Sequence, residues 1–225
     1  GPGTGNLTSY ILKQRPKKVI VVEKDNNLAI RLKDIFKEQI NIINKDILEV
    51  DENSLSQEKL IVFGNLPYNI STQILAYLIT LKKWPPWYEH LIFMFQKEVA
   101  DRIIAKVNTK NYSRITILAN WKFDIKKIFD ISPECFSPRP KIKSTLLEFI
   151  PKNNVTEIQN PKNLEYITRI FFSQRRKMIK KNFIKLFKDF KDVSKSIDIK
   201  LTDRPQNISV NKYLEIAKTF EDNSN

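Results

Sequence analysis

Four short apolar runs, near residues 19–23, 40–44, 60–64 and 90–96, alternate with longer stretches of helical period near 26–37, 71–82 and 97–106. That alternation predicts an α/β fold, because strands that follow helices in this way assemble into a sheet covered by its own crossovers. Two later apolar runs, near 122–131 and 143–150, predict an antiparallel hairpin that closes the sheet. Pro151-Lys152-Asn153-Asn154 reads as a linker, and helical patterns near 162–173, 176–188 and 209–221 follow it. The expected organisation is one larger unit, residues 1–150, and a small helical one, residues 151–225.

The chain opens on Gly1-Pro2-Gly3-Thr4-Gly5, and Leu7 to Leu12 reads as the start of a helix. Alternate glycines allow positive φ and close approach of a ligand to the backbone, with helix N–H groups facing it. A glycine loop by itself is as often an ordinary turn. Here Val19-Ile20-Val21-Val22 ends in Glu23, where a Rossmann-type acid accepts bonds from ribose hydroxyls. Asp46 lies just past the run Ile40 to Ile43, placed to accept a bond from an adenine amine. Either acid alone is more commonly a solvated strand end, but their order behind the glycine loop favours binding.

A second constellation follows the run Leu60 to Gly64: Asn65-Leu66-Pro67-Tyr68. An exocyclic base amine is a poor nucleophile because its lone pair is delocalised into the ring. Asn65 offers a side-chain carbonyl to one N–H of such an amine, and a main-chain carbonyl beside Pro67 accepts the other. Together they favour a pyramidal nitrogen over the planar ground state, which is differential binding of the transition state. Tyr68 supplies a stacking face, typically about 1–3 kcal/mol per base. Asn and Pro also punctuate strands in any fold, so these four residues equally make a plain turn.

These segments, with Asn69-Ile70-Ser71-Thr72 and Phe136-Ser137-Pro138-Arg139-Pro140-Lys141, resemble the ribosomal RNA adenine N6-dimethyltransferase family nearly end to end. The resemblance implies a Rossmann-like class I methyltransferase sheet with a small C-terminal helical domain. It implies S-adenosylmethionine as methyl donor and an adenine of ribosomal RNA as acceptor. Gly1, Gly3 and Gly5 would border the methionine end of the donor, Glu23 and the adjoining Lys24 its ribose, and Asp46 with Ile47 its adenine. Asn65, also at the donor's edge, would meet the target amine with Leu66 and Pro67, while Tyr68 and Phe136 grip the target base. Arg139 and Lys141 would contact RNA. Family members carry a stretch before the glycine loop that includes the first strand of the sheet, so that central strand is expected to be missing here. Phe171-Phe172-Ser173-Gln174-Arg175-Arg176-Lys177 and Arg204-Pro205-Gln206-Asn207-Ile208-Ser209-Val210 resemble the housekeeping small-subunit branch more than the macrolide-resistance branch.

Charge agrees with an RNA partner. The chain carries 39 basic and 25 acidic side chains, net +14. Residues 1–150 hold 23 and 16 of these and residues 151–225 hold 16 and 9, so each part is net +7 and the shorter one is about twice as dense. Arg175, Arg176, Lys177, Lys180, Lys181, Lys185 and Lys188 crowd what reads as one helical stretch, a candidate phosphate-binding face or a solvated one.

Cys135 and His90 are the sole cysteine and histidine, which excludes a disulfide scaffold and a Cys/His metal cluster. Cys135 is expected to pack beside Phe136, and His90 to be structural. No apolar run approaches the roughly 18 residues of a membrane span, and no signal peptide is visible. The expectation is a cytoplasmic, metal-independent, monomeric enzyme acting on small-subunit ribosomal RNA or the immature subunit. The alternatives are a large-subunit or DNA adenine methylase, and a non-catalytic ribosome-assembly or organelle transcription factor. A DNA enzyme more usually carries Asp or Asn before Pro-Pro-Tyr, and here the second position is Leu66.

Overall fold

The computed structural model describes residues 1–51, 55–137 and 139–223. Helix α1 (Asn6–Lys13) leads to strand β1 (Ile20–Val22), helix α2 (Asn26–Phe36) and strand β2 (Asn41–Ile43). Asp25 starts α2 by accepting from the N–H groups of Asn27 and Leu28, at 2.8 and 2.9 Å. The helix then buries Ala29, Leu32 and Phe36, one stripe of helical period, over the β1–β2 pair.

Strand β3 (Leu60–Gly64) is followed by α3 (Ser71–Ile79), β4 (Tyr88–Gln96) and α4 (Lys97–Ile103). Next come α5 (Arg114–Lys122), β5 (Phe123–Ile131) and β6 (Ser144–Pro151). β1 and β2 pair in parallel as one sheet, and the other four strands form a second in the order β3-β4-β6-β5. β3 runs parallel to β4, while β6 is antiparallel to both β4 and β5. The α/β class and the closing hairpin are as expected. Among the described residues no strand pairs β1 to β3, so the sheet stands as two pieces.

Helices α6 (Pro161–Ser173), α7 (Lys180–Leu186), α8 (Phe190–Ser196) and α9 (Val210–Asp222) complete the chain. A continuous core runs from Leu66, Phe93 and Phe149 through Trp121 to Ile167, Phe171 and Tyr213. α5 is its middle layer, packed against α3 on one side and α6 and α9 on the other.

Three expectations need correction. The helix near 97–106 ends at Ile103, and α5 was not foreseen. The single helix expected over 176–188 is a turn followed by α7 and a second break at Phe187, because the N–H groups of Ile179 and Lys180 bond instead to Asp203 and Leu201 carbonyls. The linker is no free tether either. Lys152 donates its N–H to the Lys122 carbonyl and its ammonium to the Asn120 carbonyl, and its own carbonyl accepts from the Trp84 indole at 2.9 Å.

Candidate active site

The glycine loop, β1 and β2 bring the candidate donor residues together. Gly3 sits at φ +56° with nothing within 4 Å of where a Cβ would project, so one wall of the cradle is open backbone. Its N–H reaches Glu23 Oε2 at 3.3 Å, and the N–H of Asp25 reaches Oε1 at 3.0 Å. Glu23 is thus a buried acceptor on the floor of the loop. A Cβ on Gly1 would stand 3.4 Å from the same carboxylate. Gly5 has a different task. It lies at φ +86°, and a Cβ there would come within 2.6 Å of Phe36, so the absence of a side chain lets α2 pack on the loop.

Asp46 accepts from the Leu48 N–H at 3.0 Å and pairs with the Lys24 ammonium at 2.9 Å. The Leu48 bond first, then the Lys24 bond, hold its carboxyl below the usual value, and the same pair raises Lys24. Ile47 follows, half-buried, at the start of a short 3-10 turn. Sequence reasoning missed Asn44, whose side-chain amide donates to the Glu23 carbonyl at 2.8 Å and so braces the loop after β1 from the loop after β2. Only its position two residues before Asp46 hinted at this.

The acceptor side is built on the end of β3. A Cβ on Gly64 would fall 2.7 Å from Phe93 and 2.8 Å from Leu66, so glycine is required where the strand crosses Phe93. Leu66 is buried as an anchor, which leaves Asn65 exposed. The Pro67 carbonyl accepts from the N–H groups of Ile70 and Ser71, capping the first turn of α3. Among the described residues the Asn65 side chain and the Leu66 carbonyl carry no hydrogen bond, so both acceptors are open. Tyr68 is half-buried, its hydroxyl 2.7 Å from Ser144 Oγ.

Phe136 follows a 3-10 turn, Pro133–Cys135, and is half-buried. Cys135 does not pack beside it. The turn holds no buried residue, and the thiol is exposed. Arg139 is exposed and ion-paired with Glu134, Lys141 is exposed, and Pro138 lies outside the described residues. His90 pairs with Glu148 at 2.8 Å on the outer sheet face.

The turn between α6 and α7 lines a concavity of about 670 Å³ whose walls include Arg175, Arg176, Lys177, Lys180 and Lys181. All but Arg175 are exposed. Arg175 is half-buried and committed, donating to Gln206 Oε1 at 3.0 Å and to the Thr109 carbonyl at 3.1 Å.

An α/β sheet with a glycine cradle, two strand-end acids and an open Asn-Leu-Pro-Tyr turn defines a class I methyltransferase that uses S-adenosylmethionine. Gly3, Glu23 and Asp46 fit that donor, since they offer open backbone, one buried carboxylate and one half-buried carboxylate to its hydroxyls and amine. The profile of the ribosomal RNA adenine dimethylase family matches residues 1–222, and the chain belongs to that family. It is 56% identical to a ribosomal RNA small subunit methyltransferase A of Pelagibacter ubique (strain HTCC1062), over 99% of this chain and 85% of the relative. With the protein of the same name from Zymomonas mobilis it shares 37%, over 98% and 80%. Among solved structures, a dimethyladenosine transferase from Plasmodium falciparum aligns with TM-score 0.80 and 27% identity, over 100% of this chain and 89% of that one. The 23S rRNA methyltransferase ErmE aligns at TM-score 0.66 and 19% identity, over 98% and 88%, a likeness of fold.

Proposed function

We propose that this enzyme dimethylates N6 of adenosines in small-subunit ribosomal RNA, in step with assembly of the subunit. The observation that carries the reading is the open acceptor pair, Asn65 side chain and Leu66 carbonyl, held at the end of β3 by the buried Leu66 and by α3. The names of the relatives at 56% and 37% identity support the small subunit as the target.

When bound, S-adenosylmethionine supplies an electrophilic methyl group on a sulfonium. Gly1, Gly3 and Gly5 would border its methionine end, Glu23 its ribose, and Asp46 with Ile47 its adenine. The target adenosine leaves its stack at a cost of a few kcal/mol and is gripped by Tyr68 and Phe136. Asn65 Oδ1 and the Leu66 carbonyl accept the two N–H bonds of the amine and turn its lone pair toward the methyl. No strong base is needed, because water takes the spare proton after transfer. A monomethylated amine keeps one N–H and one lone pair, so the same acceptors serve a second round.

In this reading residues 1–150 carry the chemistry and residues 151–225 add RNA contacts through Arg176, Lys177, Lys180 and Lys181, with Arg139 and Lys141 flanking the target base. The enzyme works as a cytoplasmic monomer without a metal. No helix among the described residues is long and apolar enough to cross a membrane. No observation favours the large-subunit, DNA or non-catalytic readings.

Purified immature small subunits, large subunits and DNA, each incubated with the enzyme and radiolabelled donor, test the proposal. Label is expected in small subunits alone, as dimethyladenosine. Label confined to large subunits or DNA would overturn it.

A further inference from the structure

The start of β6 carries two fully buried polar side chains that the scheme above does not use. Ser144 and Thr145 are both 0% exposed. They follow directly on the segment 132–143 that bears Phe136, and Ser144 is paired in register with Ile131, where that segment begins. The segment is closed at its base by the Lys97 N–H on the Lys143 carbonyl at 2.9 Å. Thr145 Oγ1 donates to Asp130 Oδ1 at 2.7 Å, and Asp130 Oδ2 pairs with the Lys127 ammonium at 2.8 Å. These bonds fix the base of the Phe136 segment to the sheet.

Ser144 Oγ points the other way. It meets the Tyr68 hydroxyl at 2.7 Å, across 76 residues of sequence. A buried hydroxyl needs a partner, and a half-buried tyrosine needs something to set its ring. We propose that Ser144 is a positioning residue: its hydroxyl ties Tyr68 to the foot of the Phe136 segment, so that the two gripping rings are set relative to one another before the base arrives. The Tyr68 hydroxyl is then occupied by the protein and does not act as acid, base or phosphate ligand. The inference rests on the reading in which Tyr68 stacks the target base.

The test compares Tyr68→Phe, Ser144→Ala, the double variant and Tyr68→Ala, in single-turnover methylation of immature small subunits at saturating enzyme and donor. Under those conditions the rate constant does not depend on the fraction of enzyme that is folded. Loss of the one hydrogen bond that sets the Tyr68 ring is expected to slow transfer about tenfold. Tyr68→Phe and Ser144→Ala should each show that slowing with unchanged affinity for S-adenosylmethionine. The double variant should be no slower than either single one, because both remove the same bond. Tyr68→Ala should be slower still. Two single effects that multiply in the double variant, or single variants at the wild-type rate beside a crippled Tyr68→Ala, would overturn the tether and leave the stacking reading intact. A Tyr68→Ala variant at the wild-type rate would remove the stacking reading itself.

Discussion

The Lys24 ammonium stands 2.9 Å from Asp46 Oδ2, and this ion pair joins the loop leaving β1 to the loop leaving β2. Each loop carries one of the acids proposed for the donor, so the pair, with the Asn44 bond to the Glu23 carbonyl, links the segments that hold Glu23 and Asp46. Because the Leu48 N–H and Lys24 lower the Asp46 carboxyl, the stability it adds is whole above its unfolded value of about 3.9 and is lost as pH falls through the lower folded value. Unfolding of wild type and Asp46→Asn, followed from about pH 7 to about pH 3, should show a stability gap that is widest near neutrality and closes in acid. A gap that stays constant would mean Asp46 contributes through shape alone.

Glu23→Ala removes the floor of the glycine cradle and the acceptor of the Gly3 and Asp25 N–H groups. Calorimetry should show affinity for S-adenosylmethionine weakened at least about tenfold, as for loss of a charged hydrogen-bond partner, with RNA affinity nearly unchanged. Unaltered donor affinity in the folded variant would take Glu23 out of the site.

The basic turn divides into two kinds of residue. Arg176 and Lys177 are exposed, so their charge reversal should lower RNA affinity and reduce the slope of log affinity against log salt by nearly one per lost phosphate contact. Arg175 bridges Gln206 and Thr109, so Arg175→Ala should lower Tm while changing the slope less than either reversal. Equal slopes for all three variants and wild type would make the turn a solvated surface.

Glu221 of α9 is buried and accepts from the N–H groups of Gln159 and Asn160 and from the Asn163 amide, at 2.8 to 2.9 Å. It thereby serves the unpaired donors at the start of α6. Glu221→Ala strips these part-buried donors of a charged acceptor, at a cost of about 1.5–3 kcal/mol, or roughly 3–12 °C in Tm for a chain of this size. Calorimetric unfolding within about 1 °C of wild type would show that water replaces the carboxylate.

The alternation of strands and helices was legible because β1 to β4 are apolar runs bounded by turns, and the Glu23, Asp46 and Asn65 positions follow from where those runs end. Helix α5 was not legible. It is covered by α3 on one side and by α6 and α9 on the other, so Thr116 through Ala119, Trp121 and Lys122 are all buried and no amphipathic stripe marks it. The turn at 174–179 was also hidden, since its cause is a pair of long-range bonds from Ile179 and Lys180 to Asp203 and Leu201. For the same reason Arg175 read as one more surface cation and Ser144 as the edge of a strand. Their partners, Thr109 with Gln206 and Tyr68, lie 31 to 76 residues away.

In the proposed reaction the Asn65 carbonyl strengthens its hold on the target amine as the nitrogen becomes pyramidal. Asn65 is exposed and makes no bond among the described residues that holds the fold, so Asn65→Ala should fold normally and bind both RNA and S-adenosylmethionine with little change. Its single-turnover methylation of saturating immature small subunits should fall on the order of a hundredfold or more, as losses of comparable charge-stabilising groups do. Methylation by Asn65→Ala at the wild-type rate would contradict the account and leave the Asn-Leu-Pro-Tyr segment a structural turn.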